Sequence, residues 1–248
     1  GNVQSYSGSG TTVFNLATGA GAGGNATIVG TPTYDSINQA FTLGSTSNYL
    51  SVPSANLSNF STGLTILSKT NLGDTGNSGY LWARIIDFGN GPQANNILFA
   101  RNGTSGNLSL QIYSGAANAM SLTTTSGSAV VSGGYGYYAG SLTAAGVPAI
   151  YVNGSSAAAA IDVGATGSGA IPQNVTRNND YLGHSNWADG ATAGIGVTLL
   201  YSTALSPSQI AATNAEMGRT ISAATLTVGA SNSSAAFSGS IKDGNAAI

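Results

Sequence analysis

Cysteine is absent from the 248-residue sequence, and charged side chains are scarce. Without cysteine the chain has no disulfides and no thiolate to offer zinc or a nucleophilic mechanism. Charged residues make up 6% of the chain, compared with about 25% in ordinary soluble domains. Six Lys and Arg against eight Asp and Glu create only a weak long-range field. This balance argues against nucleic acid or an anionic membrane as a partner.

Long hydrophobic runs are missing as well. The sequence has no stretch of about 18 apolar residues, so we expect no membrane insertion by this segment. Solvation of the surface falls to Asn, Ser, Thr and Gly, because acidic and basic residues are too few to cover it. This composition, poor in lysine and free of cysteine, is typical of a secreted, extracellular protein at a bacterial cell surface.

Short strand-like segments recur between turn signals over most of the chain. Leu108–Ile112 and Ala149–Val152 alternate apolar and polar residues, as half-buried antiparallel strands do. Asn-Gly pairs at Asn90, Asn102 and Asn153 favour type I′ turns, which need positive φ angles. The predicted strands are Ala26–Ile28, Ala40–Leu43, Tyr49–Val52, Leu64–Ser68, Tyr80–Phe88, Asn96–Arg101, Leu108–Tyr113, Ala129–Val131, Ala149–Val152, Tyr181–His184 and Gly194–Tyr201.

One short helix is predicted near the end of this series. Ser206 is a good N-cap, Pro207 suits the first helical position, and Gln209 completes a capping box. Gly218 provides a C-terminal stop. Many strands with one late helix predict an all-β fold, a two-sheet antiparallel sandwich with one short C-terminal helix.

Several motifs occur in an order that resembles a known family. The segments YVNG (Tyr151–Gly154), YLGHSNW (Tyr181–Trp187) and ALSPSQI (Ala204–Ile210) are similar to those of laminin-G-like, concanavalin-A-like jelly-roll domains of secreted and cell-surface proteins. Upstream, RIIDFGNG (Arg84–Gly91) and NYLSVP (Asn48–Pro53) agree. The resemblance runs over about residues 12 to 217, and it implies a jelly-roll sandwich in residues 1–217.

The composition changes after the helix. Residues 218–248 contain closely spaced short apolar runs, including Leu226–Gly229 and Phe237–Gly239. They resemble the passenger repeats of bacterial autotransporters, which form a right-handed β-helix. The resemblance implies a linker and the start of a repetitive β-solenoid stalk. A flexible C-terminal linker is the alternative.

Catalytic residue sets are not evident in the sequence. Glycoside hydrolysis normally needs two carboxyl groups across a cleft, but Glu216 is the only glutamate and the aspartates are scattered among turns. His184 is the only histidine, and no Gly-x-Ser-x-Gly elbow accompanies it. We therefore predict that the domain is not an enzyme.

A calcium site is one candidate binding function. Calcium takes oxygen ligands from Asp, Asn and carbonyl groups, and the resemblance implies one ion near the rim of the sandwich. Asp87, Asn90 and Asp189 are the candidate ligands. The alternative is that Asp87 pairs with Arg84 or Arg101, or caps its own turn.

Aromatic residues are the candidates for ligand binding, because aromatic rings stack on the apolar faces of sugars. Tyr135, Tyr137 and Tyr138 lie among glycines that indicate a loop, and His184 lies close to Trp187. Core packing is the alternative for the tyrosines and the tryptophan. These residues predict a non-catalytic adhesion domain that recognises a glycan, or a surface or matrix protein, through rim loops or one sheet face. The alternative is a self-associating structural subunit of a filament or surface layer, assembled by β-strand addition.

Overall fold

The computed structural model describes residues 5–17, 22–54, 59–162, 170–187, 189–218, 242–243 and 246–247. Its α-helix is α1 (Pro207–Met217). The strands in chain order are β1 (Thr12–Val13), β2 (Ala26–Val29), β3 (Thr33–Asp35), β4 (Ala40–Thr42), β5 (Tyr49–Ser51), β6 (Gly63–Asn71), β7 (Arg84–Gly89), β8 (Ile97–Arg101), β9 (Leu108–Ser114), β10 (Ala117–Thr124), β11 (Tyr135–Thr143), β12 (Pro148–Val152), β13 (Ser155–Ser156), β14 (Ala159–Ile161), β15 (Asn179–Leu182), β16 (Gly194–Tyr201), β17 (Lys242–Asp243) and β18 (Ala246–Ala247).

Two antiparallel sheets contain the strands β1 to β16. The nine-stranded sheet has the order β1-β2-β5-β15-β7-β8-β9-β10-β14, and the seven-stranded sheet has the order β13-β12-β11-β6-β16-β4-β3. Apolar side chains from both sheets form one large core between them. The predicted two-sheet antiparallel sandwich with one short C-terminal helix is confirmed.

Strand alternation explains how the core forms. In the nine-stranded sheet one row of paired residues points inward, because every second side chain lies on the same face. From the seven-stranded sheet, Leu64 and Ile66 of β6 meet this row in the core. The inward row runs across seven strands as Ile28, Leu50, Leu182, Ile86, Phe99, Leu110 and Leu122.

Helix α1 covers the outer face of the seven-stranded sheet. Ile210, which is fully buried, packs on Leu67, Ala139 and Tyr151 in a second, smaller hydrophobic cluster. The helix begins as predicted, since the Ser206 side chain accepts a hydrogen bond from the amide of Gln209 and the capping box is complete. Gly218 at its end has a φ of −84°, so the helix ends without a left-handed residue.

The structure differs from the sequence prediction at several strands. The strands β1, β3, β11, β13 and β14 are not among those predicted. Tyr80–Phe88 does not form one strand, because a 3₁₀ turn ends at Tyr80, Trp82 has a φ of +52°, and β7 begins only at Arg84. Ala129–Val131 is irregular although it is apolar. Strand β10 was not predicted, because its first residues, Ala-Asn-Ala, carry no clear alternation.

The Asn-Gly pairs also differ among themselves. Only Asn153 and Gly154 both have positive φ angles, of +51° and +80°. Asn90 and Asn102 do not, although the glycines that follow them do. The type I′ prediction is therefore right for the turn between β12 and β13 alone.

The predicted boundary between residues 1–217 and 218–248 is not tested by the structure. Residues 219–241 lie outside the described part of the chain, and the autotransporter-like runs at Leu226–Gly229 and Phe237–Gly239 fall within them. Beyond them, β17 and β18 pair with each other in an antiparallel hairpin. In the ranges that the structure describes, no helix has the length and apolar character needed to cross a membrane.

Candidate ligand-binding surface

The outer face of the nine-stranded sheet carries the candidate site. The residues next to the inward row point away from the core, because side chains alternate along each strand. Tyr181 of β15 pairs with Asp87 of β7, Asp87 pairs with Leu98 of β8, and Leu98 pairs with Gln111 of β9. This row forms the floor of the site, and the loops before β7 and after β15 lie beside it.

Partly exposed aromatic rings are grouped on this face. We call the group the aromatic surface; it consists of Tyr49, Trp82, Tyr113, Tyr181, His184 and Trp187. The His184 ring stacks on Tyr49 with a centroid distance of 4.2 Å and an interplanar angle of 11°. Tyr181 contacts both rings edge-on, at 5.1 Å from Tyr49 and 4.9 Å from His184. The Tyr113 ring lies 5.8 Å from Trp187.

Two shallow depressions meet at Trp187. The larger has a volume of about 430 Å³, and the smaller has a volume of about 230 Å³. The larger is lined by Gly91, Pro92, Asn179, Tyr181, His184, Ser185, Asn186 and Trp187. The smaller is lined by Trp82, Arg84, Leu98, Gln111, Tyr113, Trp187 and Asp189. Each depression combines aromatic rings with amide or carboxyl groups.

Arg84 organises the smaller depression from beneath. Its guanidinium carbon lies 5.8 Å from the Trp82 ring centre and 5.5 Å from the Trp187 ring centre. Its Nη2 atom donates to both carboxylate oxygens of Asp189, at 3.2 and 3.0 Å, and its Nε lies 3.5 Å from Asp87. Its Nη1 donates to the Trp82 carbonyl. The Arg84 side chain is therefore held in place and positions both tryptophans.

Asp87 is buried beneath the aromatic surface and is surrounded by hydrogen-bond donors. Its carboxylate accepts from the Asn96 side chain at 2.8 Å, and from the backbone and side-chain nitrogens of Asn186 at 2.8 and 2.9 Å. The pKa of Asp87 is raised above its ordinary value, because the effect of burial exceeds the lowering by Arg84 and these donors. Because all of these neighbours donate, they match an ionised carboxylate.

The candidate calcium ligands do not form an oxygen-rich cluster. Arg84 bridges Asp87 and Asp189, whereas Asn90 donates to the Thr176 carbonyl and accepts from the amide of Asn178. The described residues contain no group of three or more His, Cys, Asp or Glu that could hold a metal ion. A cation at Asp87 and Asp189 would have to displace the guanidinium. The present arrangement, with Arg84 between the two carboxyl groups, does not fit calcium. The structure shows the alternative, in which Asp87 pairs with Arg84. Calcium binding by this chain stays a prediction.

His184 is held in its neutral form. Burial lowers the pKa of its imidazole, and the nearby positive charge of Arg84 lowers it further. The neutral imidazole is therefore the predominant form at pH 7, since even its ordinary pKa lies near 6.5. A neutral ring stacked on Tyr49 offers a flat apolar face and a polar edge.

The three candidate tyrosines lie on the other sheet. Tyr135, Tyr137 and Tyr138 belong to β11, not to a loop, and only His184 and Trp187 of the five candidates are brought together. Tyr138 is 1% exposed in the main core, and its hydroxyl accepts from the Val131 amide at 2.9 Å. Burial raises the pKa of Tyr138 to about 12. Tyr135 and Tyr137 remain half-buried, with Lys69 above the Tyr135 ring and the Tyr137 hydroxyl near the Met217 carbonyl.

Sequence reasoning missed part of the aromatic surface. Tyr49 and Tyr113 were not among the candidates, although Tyr49 lies in the NYLSVP motif, because they come from strands far apart in the chain. Alternation along β9 did contain a signal for Tyr113. Side chains at every second position, Ser109, Gln111 and Tyr113, point away from the core. For Tyr49 the local signal is its place in the NYLSVP motif, which does not indicate the rings beside it.

Comparison with known proteins places the sequence in one superfamily. The family model for the concanavalin A-like lectin/glucanases superfamily matches residues 43–211. This range includes every residue of the aromatic surface. No curated protein matches the sequence.

Solved structures share the fold at low sequence identity. Domain 4 of AbnA, a GH43 extracellular arabinanase from Geobacillus stearothermophilus in complex with arabinotriose, is 18% identical, with a TM-score of 0.52 over 78% of this chain and 88% of that chain. Trypanosoma rangeli sialidase is 12% identical, with a TM-score of 0.53 over 77% of this chain and 29% of that chain. The receptor-binding domain of botulinum neurotoxin C/D mosaic serotype is 13% identical, with a TM-score of 0.52 over 78% and 46%. The chain thus spans less than a third of the sialidase and less than half of the neurotoxin chain.

Proposed function

Because the chain belongs to the concanavalin A-like lectin/glucanases superfamily, we propose that it is a non-catalytic glycan-binding domain of a secreted protein. The aromatic surface is its binding site. The observation that carries this proposal is the grouping of six partly exposed rings on one sheet face, two of which lie against Arg84. A fold alone does not define a function, so the proposal depends on this site.

The chemistry of the aromatic surface suits a sugar. Ring faces such as those of Trp187 and Tyr113 contact the C–H groups of a pyranose or furanose, because both surfaces are apolar there. Amide and carboxyl groups at the edges, including Gln111, Asn179 and Asp189, can bond to hydroxyls and fix the orientation. The AbnA domain, which has the same fold, was solved with arabinotriose, and this is analogous support.

The arrangement of carboxyl groups supports binding without hydrolysis. Glycosidases place two carboxyl groups on either side of the scissile bond, with one free to donate a proton. Here Asp87 is buried, and both Asp87 and Asp189 are tied to the same guanidinium. Neither carboxyl group is placed to act as a free acid.

Display at a bacterial surface, on an autotransporter-like stalk, is the setting that the composition and the residues after Gly218 suggest. The alternative role, as a filament or surface-layer subunit, requires long accessible sheet edges. The described edge strands are short: β1 and β13 have two residues, and β3 and β14 have three. Short edges are poor templates for strand addition, which favours the glycan-binding role.

A binding experiment with matched variants tests the proposal. The purified chain is applied to a printed glycan array, and the best ligand is then titrated by calorimetry. Trp187→Ala should weaken binding by about thirtyfold, because removing a central aromatic anchor typically costs about 2 kcal/mol. Tyr135→Ala on the opposite sheet is the control and should bind like the unmodified chain.

Two results would contradict the proposal. One is the absence of binding to any glycan on the array; the other is equal affinity for the unmodified chain and Trp187→Ala. Light scattering of the same sample addresses the alternative role. A monomer at all concentrations agrees with a binding domain, whereas filaments would support the structural subunit.

A further inference from the structure

The charges around the aromatic surface bear on which glycans it accepts. Arg84 is the cation beneath the surface, and its side chain is only 3% exposed. All three of its guanidinium nitrogens are engaged, by Asp87, by Asp189 and by the Trp82 carbonyl. An acidic sugar could reach this guanidinium only by displacing Asp189.

The other described arginines are also committed within the fold. Arg101 is fully buried, and its guanidinium donates to the carbonyls of Asp74, Asn77, Tyr80 and Gly103. Arg177 is 1% exposed and donates to the carbonyls of Asn95, Gln173 and Val175. These guanidinium groups satisfy buried carbonyls and are not directed toward a ligand.

Lysine adds no positive charge to the aromatic surface in the described ranges. Lys69 belongs to β6 of the seven-stranded sheet, and its Nζ donates to the Asn38 carbonyl at 2.7 Å. The side chains of Arg219 and Lys242 lie outside what the structure describes. His184 is neutral at pH 7, for the reasons given above.

Asp189, in contrast, presents negative charge at the surface. Its side chain is 20% exposed, and it lines the smaller depression beside Trp187. One guanidinium is thus shared between two carboxyl groups, and the more exposed of them faces the ligand side. A sugar carboxylate or sulfate at this place would meet a like charge, and like charges in contact oppose binding.

We propose that the aromatic surface selects neutral oligosaccharides, and that Asp189 is the residue that excludes glycans carrying a carboxylate or sulfate next to Trp187. This inference rests on the proposed glycan-binding function and adds the substrate class to it. Repulsion of acidic glycans by Asp189 contributes to this selectivity along with attraction of neutral glycans by the rings, since specificity is a difference between two affinities.

The test compares neutral glycans with related glycans that carry a carboxylate. Pectin with full methyl esterification is compared with polygalacturonate, and N-acetyllactosamine is compared with its sialylated form. The unmodified chain should bind at least one neutral member about tenfold or more tightly than its acidic partner at low salt. Raising the salt should strengthen binding to the acidic partner and leave the neutral one unchanged, because salt screens the repulsion.

Two variants assign the selectivity to a residue. Asp189→Asn should reduce the ratio of neutral to acidic binding toward one. Glu216→Gln removes the same charge from α1, far from the aromatic surface, and should leave the ratio unchanged. The salt series does not depend on any variant, so it tests the proposal even if Asp189→Asn folds poorly.

The outcomes separate this inference from the proposed function. Equal or tighter binding of the acidic members would overturn the neutral selectivity and leave glycan binding intact. An unchanged ratio in Asp189→Asn, together with no salt effect, would overturn the role of Asp189. If no glycan binds at all, both the proposed function and this inference fail.

Discussion

The outer face of one sheet is covered by a helix, whereas the outer face of the other carries partly exposed aromatic rings. On the seven-stranded sheet, Leu67, Ala139 and Tyr151 are covered by Ile210 of α1, and the result is a second hydrophobic cluster. On the nine-stranded sheet, Trp187 and the rings around it are left partly exposed. Both faces carry aromatic residues, so composition does not distinguish them. What distinguishes them is whether another element packs on top.

The difference indicates where stability and function lie. A covered face contributes burial of apolar area to the free energy of folding, and substitutions there act as core substitutions do. An uncovered aromatic face keeps its apolar area available for a ligand. The following predictions test this division, from the largest expected effect to the smallest.

Ile210→Ala should destabilise the chain by about 2–5 kcal/mol, because it removes a fully buried side chain from the cluster beneath α1. Urea denaturation followed by tryptophan fluorescence measures the change. Glycan affinity at a temperature where the variant is folded should stay the same. Ala212→Ser, at an exposed position of the helix, is the control. A loss below about 1 kcal/mol would mean that the helix does not seal this face.

Asp180→Asn should stabilise the chain at pH 8 by about 1–3 kcal/mol. Asp180 points toward the core, is 1% exposed, and has no hydrogen-bond partner within normal distance for either carboxylate oxygen. Burial raises its pKa to about 7, although Arg177 and the Gly89 amide lower it. A rise from 3.8 to about 7 corresponds to at most about 4 kcal/mol, and the buried amide of asparagine offsets part of that gain.

The pH dependence of the same residue has a definite sign. The unfolded chain releases this proton near pH 4, whereas the folded chain keeps it up to about pH 7. Stability should therefore fall between about pH 4 and 7 and level off above. The unmodified chain and Asp180→Asn should have similar stability near pH 4, and their stabilities should diverge as the pH rises. If the free energy of unfolding varied with pH in the same way for both proteins across this range, Asp180 would not be protonated in the folded chain.

Tyr138→Phe should cost about 1–2 kcal/mol, because it leaves the Val131 amide without its acceptor. Tyr137→Phe is the matched control one residue away. The Tyr137 hydroxyl is only weakly bonded, at 3.5 Å from the Met217 carbonyl, and its ring is half-buried, so the cost should be close to zero. Thermal denaturation of both variants gives the comparison. Equal losses would contradict the placement of one tyrosine inside and the other outside.

Ser206→Ala should cost about 1 kcal/mol, since it removes the side chain that caps α1. The loss is smaller than for Ile210→Ala because the cap stabilises one end of the helix and leaves the buried contact intact. Ser202→Ala, at an exposed position before the helix, is the control. Chemical denaturation resolves a difference of this size. No loss would imply that packing alone holds the helix start.

Local signals predicted the secondary structure where one face is buried. The alternation at Leu108–Ile112 and at Ala149–Val152 correctly gave β9 and β12, and the capping box at Ser206 correctly gave the start of α1. Short-range rules suffice there, because turn chemistry and alternation depend on residues close together in sequence. They failed at Ala129–Val131, where an apolar run packs against the core without pairing.

The candidate site was predictable only in part. His184 and Trp187 were singled out from one motif, and both lie on the aromatic surface. Tyr135, Tyr137 and Tyr138 were grouped with them because they are aromatic and lie among glycines, yet β11 belongs to the opposite sheet. Aromatic character says that a residue prefers contact with apolar surface, but it does not say whether the partner is the core or a ligand.

The sequence by itself determined the two-layer β fold, the inward and outward faces of its clearest strands, and the start of the helix. The faces and the helix start follow from interactions between residues a few positions apart, and the recurrence of such strands with one late helix predicts the two layers. Only the tertiary structure decided that Arg84 would meet Asp189, 105 residues away, and that Asp87 would meet Asn186, 99 residues away. Those pairings depend on which strands become neighbours in the sheet, and alternation fixes the face of a side chain but not the strand beside it.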